Sequence, residues 1–260
     1  MISGTFASAI AADQPPGERI SIIIAGVTLQ GLGWMVAFLM FAVYLHRLIQ
    51  YGLPAPNLRP GMFISTGPPS FTALALIGMA RALPPDVHYF QQHPTALETL
   101  RVLATFVAVF LWALAFWFFS LAALAVLNGA REMSFHLVWW AFIFPNVGLT
   151  VATIRIGEEF DSEGILWLGS AMTIALVGMW IFVLVNHVRA VLRRKILMPG
   201  TDEDRGERAG RKSAWSDTDT FVDQCTENDK DYGGSAPLPG RREHFDWNNW
   251  METFARNLRL

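Results

Sequence analysis

The sequence predicts an all-α integral membrane protein, with about five transmembrane helices following an N-terminal half-helix. Three observations carry that reading. Hydrophobic residues make up 52% of the 260 residues and charged residues only 16%, a balance too apolar for an ordinary soluble domain. Five stretches, 20–45, 60–80, 102–130, 133–154 and 164–188, contain no Asp, Glu, Lys or Arg. Each reaches the roughly 20 residues that a helix needs to cross a hydrocarbon core about 30 Å thick. Smooth spans also alternate with spans interrupted by proline and glycine, which gives the helices two different surroundings.

Taken in order, residues 1–12 are apolar but too short to cross, and they lack the basic start of a signal peptide. They read as the end of a helix, followed by a loop to residue 19. The span 20–45 is long and unbroken. In 60–80, Gly61, Ser65, Thr66, Gly67, Pro68, Pro69, Ser70, Thr72 and Gly78 crowd together. The span 102–130 carries Phe106, Phe110, Trp112, Phe116, Trp117, Phe118 and Phe119, a bulky surface suited to lipid. Pro145, Asn146, Gly148, Thr150 and Thr153 interrupt 133–154, and 164–188 is smooth again. Proline removes a helical hydrogen bond and kinks the helix. Within a bilayer such breaks are tolerated where protein or water satisfies the freed carbonyls. The second and fourth spans are therefore expected to face a bundle interior and the other three to face lipid. An inner–outer alternation of this kind implies a ring of helical hairpins around a pore, as in transporters built from internal repeats. Residues 1–12 supply a third inner helix, and closing the ring needs more helices than are present.

Charge sets the expected orientation. Arg189, Arg193, Arg194 and Lys195 follow the last span, and His46, Arg47, Arg59 and Arg131 flank loops on the same side. Positive loops stay cytoplasmic, so the loop with Glu158, Glu159, Asp161 and Glu163 is expected outside and the C-terminus inside. The transmembrane domain runs over 20–195. From 196 to 260 the chain is charged and rich in Gly and Ser, and it reads as a largely disordered cytoplasmic tail. Trp247, Trp250, Met251, Phe254 and Leu258 stand at helical spacing, so 245–258 is either a short amphipathic helix or frayed chain. The single cysteine, Cys225, has no partner for a disulfide. Ser213 and Ser216 lie among charged residues that would suit phosphorylation, a weak pattern.

The stretch Arg59-Pro60-Gly61-Met62-Phe63-Ile64-Ser65-Thr66-Gly67-Pro68-Pro69-Ser70-Phe71-Thr72 resembles the tellurite-resistance/dicarboxylate transporter family, and so does Trp139-Trp140-Ala141-Phe142-Ile143-Phe144-Pro145. That family holds fungal malic-acid transport proteins, to which the likeness is strongest, together with plant slow anion channels and fungal sulfite exporters. The resemblance runs to about Lys195. It implies a ring of ten helices in five hairpins around a central pore, commonly as a homotrimer, with inner helices kinked at prolines. Residues 1–12 would then be the end of the fifth helix, truncated, and the five spans the sixth to tenth. The first half of the ring is missing from the sequence, as an incomplete gene prediction would leave it, and an isolated product of this length is expected not to conduct.

In the family, a phenylalanine placed like Phe144 lies across the pore as a gate. A large apolar ring in a narrow pore excludes water and opposes an ion that must shed its own. Taken alone, such a residue is as well read as packing. Helical spacing places Pro145, Gly148, Val151 and Arg155 on or beside the same face. Arg155, at the external mouth, either attracts carboxylates or pairs with Glu158 or Glu159. Ser65, Pro68, Pro69 and Thr72 share a face of the second span. Their hydroxyls and kink-freed groups either line the pore or bond their own helix, and Thr5 is a weaker candidate of the same type. His88 and His93 fall in an external loop near Asp86 and read as solvated, while His136 and His187 have no partner evident in the sequence.

There is no phosphate loop, no metal-spaced Cys/His cluster and no nucleophile elbow. Neither enzymatic chemistry, a cofactor, a metal nor a nucleic-acid partner is expected. The expected function is transport of small organic anions across the plasma membrane, malate or other C4-dicarboxylates first. Two readings stand beside it: efflux of sulfite or inorganic anions, and a non-conducting half-length interaction protein.

Overall fold

A computed structural model describes residues 2–193. The tail expectations, including those for Ser213, Ser216, Cys225 and the segment 245–258, lie outside the described residues, as do Arg194 and Lys195. Everything regular among the described residues is helical: α1 (Ser3–Ala12), α2 (Pro16–Tyr51), α3 (Gly67–Ala82), the short α4 (His88–Gln92), α5 (Pro94–Gly129), α6 (Phe144–Glu159) and α7 (Glu163–Leu192). Two 3₁₀ segments, Pro56–Thr66 and Leu137–Phe142, lead into α3 and α6. Five of the resulting segments are long and apolar enough to cross a membrane.

The smooth helices run past the charge-free stretches that predict them. α2 and α5 have 36 residues each and α7 has 30, lengths of roughly 45–54 Å at 1.5 Å per residue. Pro16 and Pro94 stand in the first turns of α2 and α5, where no N–H is needed. Gly52, at φ 72°, ends α2 in a backbone conformation that side chains resist.

The broken spans change helix type rather than kink within one α-helix. Pro68 and Pro69 occupy the first turn of α3, and Pro145 that of α6. A helical carbonyl looks for a donor three or four residues ahead, and for Ser65 both positions are proline. The α-ladder cannot cross that point. The chain therefore arrives as 3₁₀ helix and departs as α-helix.

The helices form two layers. α1, α3 and α6 lie side by side, α3 touching both of the others, while α2, α5 and α7 pack behind them. The second span differs in burial as the alternation predicts, with 72% of its most apolar window buried against 22%, 33% and 11% in the three smooth spans, whereas the fourth span, at 39%, is close to the smooth third. One part of the expected lipid surface is corrected. Phe106 and Phe110 are exposed on α5, but Phe118 is buried against Phe41, with ring centroids 4.6 Å apart. Phe119 meets Phe63, and the Trp112 indole N–H donates to Thr153 Oγ1 at 2.7 Å. Seven aromatics over four turns exceed one face of a helix, so Trp112, Phe118 and Phe119 turn inward.

α1 sits on its neighbours through very small residues. A Cβ on Gly26 would lie 2.4 Å from Ala7 Cβ, one on Gly4 2.9 Å from Ala75 Cβ, and one on Gly78 2.6 Å from Ser8 Oγ. Backbones meet this closely where small residues line a membrane helix contact. The buried Gln30 of α2 ties the three helices together: its Oε1 accepts from the Gly4 N–H at 3.2 Å, and its Nε2 donates to Thr72 Oγ1 at 2.9 Å. It thereby satisfies one of the open N–H groups of the first turn of α1.

Candidate functional site: two clefts on the inner layer

α3 and α6 run alongside each other through a ladder of contacts. Phe63 meets Phe142 at 5.3 Å between ring centroids, Gly67 faces Pro145, and Phe71 stacks on Phe144 at 5.1 Å with 28° between planes. Gly148 lets that stack form, since a Cβ there would come within 2.9 Å of the Phe71 ring and 2.8 Å of Ser70 Oγ. Phe144 itself is 58% exposed, so its ring projects from the wall and is held on one side.

Two clefts follow one another along this surface. The first, about 390 Å³, is lined by Ile64, Pro68, Phe71, Val138, Phe144 and Pro145. The second, about 370 Å³, is bordered by all three inner helices through Thr5 and Ser8 of α1, Gly78 and Arg81 of α3, and Val151 and Arg155 of α6. On α3 the boundary between them falls after Phe71, and on α6 between Pro145 and Val151. The stacked Phe71–Phe144 pair lines the first cleft, and Phe71 is its last lining residue on α3 before the second begins.

The site residues expected from sequence fall into two groups. Phe144, Pro145 and Pro68 border the first cleft, and Val151, Arg155 and Thr5 the second, while Gly148 lies buried between them. Ser65, Pro69 and Thr72 border neither. Pro69 is fully buried, Ser65 Oγ donates to the Met62 carbonyl at 2.7 Å, and Thr72 Oγ1 donates to the Pro68 carbonyl at 2.7 Å while accepting from Gln30. The face of α3 turned to the clefts passes through Pro68, Phe71, Leu74 and Gly78, about one residue round from the expected one. The two hydroxyls bond their own helix, as membrane Ser and Thr commonly do.

At the far end of the second cleft Arg155 does not stand alone. Its Nη1 donates to Glu158 Oε2 at 2.9 Å, and Arg81 Nη1 reaches the same oxygen at 2.9 Å. Arg81 Nε also pairs with Glu159 Oε1. Sequence reading missed Arg81, although it is the first charge after the second span and stands ten residues beyond Phe71, much as Arg155 stands eleven beyond Phe144. That separation is roughly 15 Å of helix. The expectation for His136 and His187 is also corrected, while His88 and His93 are exposed as expected. His187 has a partner, the Trp140 indole N–H, 3.2 Å from its Nδ1, and His136 lies 3.1 Å from Ser134 Oγ. His88 contacts Gln92 at 3.0 Å within α4, away from the clefts. Among the described residues no three of His, Cys, Asp or Glu gather as a metal site.

The profile of one protein family, described as "Voltage-dependent anion channel", matches residues 1–188. The chain belongs to the voltage-dependent anion channel family. A malic acid transport protein of Schizosaccharomyces pombe is 39% identical over 207 residues, which cover 78% of this chain and 47% of the relative. A second protein of that organism is 35% identical over 207 residues, 78% of this chain and 48% of its own length. A sulfite efflux pump of Arthroderma otae is 27% identical over 167 residues, 63% of this chain and 43% of the pump. The chain thus spans about half the length of these curated relatives. No solved structure matches it. The resemblance carried by the Gly67-Pro68-Pro69 and Phe144-Pro145 stretches is therefore met, and the chain is a multi-pass membrane protein of an anion-transport family.

Proposed function

We propose that this member of the voltage-dependent anion channel family carries small organic anions, malate or other C4-dicarboxylates, along the inner layer, with Phe144 as the gate. One observation carries the reading: an exposed phenylalanine, held by stacking on Phe71 and by the missing side chain of Gly148, lines the first of two successive clefts on broken helices. Such a ring opposes an ion that must shed water beside it, and moving the ring joins the clefts. Pro68, Pro145, Gly148 and Val151 line the route, and the arginines at its end attract the anion. Ser65, Pro69 and Thr72 support the lining from behind.

The name of the 39%-identical relative favours malate. That of the 27%-identical pump favours sulfite and is the second reading. The Arg59–Arg131–Arg193 end is assigned to the cytoplasm by the positive-inside rule, in the plasma membrane, with the complete protein a trimer whose α2, α5 and α7 faces meet lipid. The test is malate uptake, chloride current and sulfite tolerance in cells expressing the protein translated from its complete transcript. Phe144→Ala is expected to raise flux of the transported anion about tenfold, the removal of a barrier near 1.4 kcal/mol. Unchanged flux removes the gate, and movement of sulfite without malate replaces the first substrate with the second.

A further inference from the structure

Glu158 occupies an unfavourable place. It lies in the last turn of α6, where unsatisfied carbonyls make the helix end negative and a carboxylate is disfavoured. What holds it there is a pair of guanidinium groups from two different helices, both directed at one oxygen: Arg81 Nη1 and Arg155 Nη1, each 2.9 Å from Glu158 Oε2. Both arginines line the second cleft, and Glu158 does not. We propose that Arg81 and Arg155 form a carboxylate clip at the mouth of this cleft, that Glu158 is its resident occupant, and that one carboxylate of a dicarboxylate substrate displaces it. The proposal rests on the anion-transport reading and adds the recognition element.

Three observations support the exchange. The side chains of Arg81, Arg155 and Glu158 are 38%, 47% and 37% exposed, and ion pairs this wet contribute little, so the resident carboxylate leaves at small cost. With Glu159 included, two cations face two anions, so the mouth has no net charge until Glu158 swings out. An arriving carboxylate then meets the Nη1 groups of both arginines, Arg81 still held through its Nε by Glu159, and their N–H donors suit its planar geometry better than that of a spherical ion. The cleft, at about 370 Å³, is room enough for a small diacid.

The experiment is calorimetric titration of the full chain in lipid nanodiscs with malate and, separately, with chloride. Glu158→Gln, which keeps shape and removes the competing charge, is expected to tighten malate binding about tenfold and to leave chloride nearly unchanged. Adding Arg81→Lys, which keeps the charge and loses the fork, is expected to cancel that gain. Equal malate affinity in wild type and Glu158→Gln overturns the clip. An equal tightening for chloride also overturns it, because the effect is then charge alone. If Phe144→Ala changes malate flux while the clip variants change nothing, the clip fails and the transport reading stands. If no variant binds malate and none transports it, both fail.

Discussion

Phe144 is held by what its neighbours lack. Gly148, one turn along α6, leaves room for the Phe71 ring, and Phe71 gives Phe144 something to stack on. Gly148→Ala is therefore expected to push Phe71 aside and free the Phe144 ring. Its flux should move in the same direction as that of Phe144→Ala and by less than tenfold, measured by the same uptake assay. A change in the opposite direction would mean that Phe71 does not position the gate. Gln30 is the second informative residue. Gln30→Leu takes a partner from the Gly4 N–H and from Thr72, and is expected to cost about 1 kcal/mol in denaturant unfolding of the detergent-solubilised chain. Phe144 and Arg155 were legible because a motif and a charge at a span end mark them. Phe71 and Gln30 were not, since each matters through a contact with a distant helix that nothing local in the sequence announces, whereas Arg81, a charge at a span end like Arg155, was legible and overlooked.

At the scale of elements, the order of smooth and broken spans was readable because it depends on where proline removes donors, which is a local property. The form of the break was less accessible. Placing Pro68, Pro69 and Pro145 in first turns, where their missing N–H groups cost nothing, turns an expected kink into a 3₁₀-to-α junction. A junction also changes the advance per residue, which helps explain why the cleft-facing side of α3 was misjudged by about one position. Replacing Pro68 and Pro69 by alanine returns donors to the Ser65 carbonyl. Hydrogen exchange across 62–69 is expected to slow as the α-helix extends backward, and unaltered exchange would show that the prolines do not set the junction. The aromatic face of α5 followed a different rule. Composition suggested lipid, yet Phe118 and Trp112 turned inward because outer helices also need a packing side, and only the three-dimensional neighbours decide which ring lies there.

For the whole molecule, the two-layer arrangement buries most of the second span and leaves the smooth helices largely exposed. Apolar burial in water does not order such an arrangement, because the outer helices leave most of their apolar surface exposed. Close contact and a few hydrogen bonds must do so. The seat of α1 illustrates this. Gly26 against Ala7, Gly4 against Ala75 and Gly78 against Ser8 bring methyl groups and one hydroxyl onto bare backbone, with the Met79 side chain set against both Gly4 and Gly26. Two directional ties hold the helix in place, Gln30 on Gly4 and Arg19 on the Ala12 carbonyl. So close a seat behaves like a keyway, with no clearance for a larger side chain. Lodging a valine at Gly26, where even a Cβ would stand 2.4 Å from Ala7, is accordingly expected to prise α1, with Thr5 and Ser8, from its place.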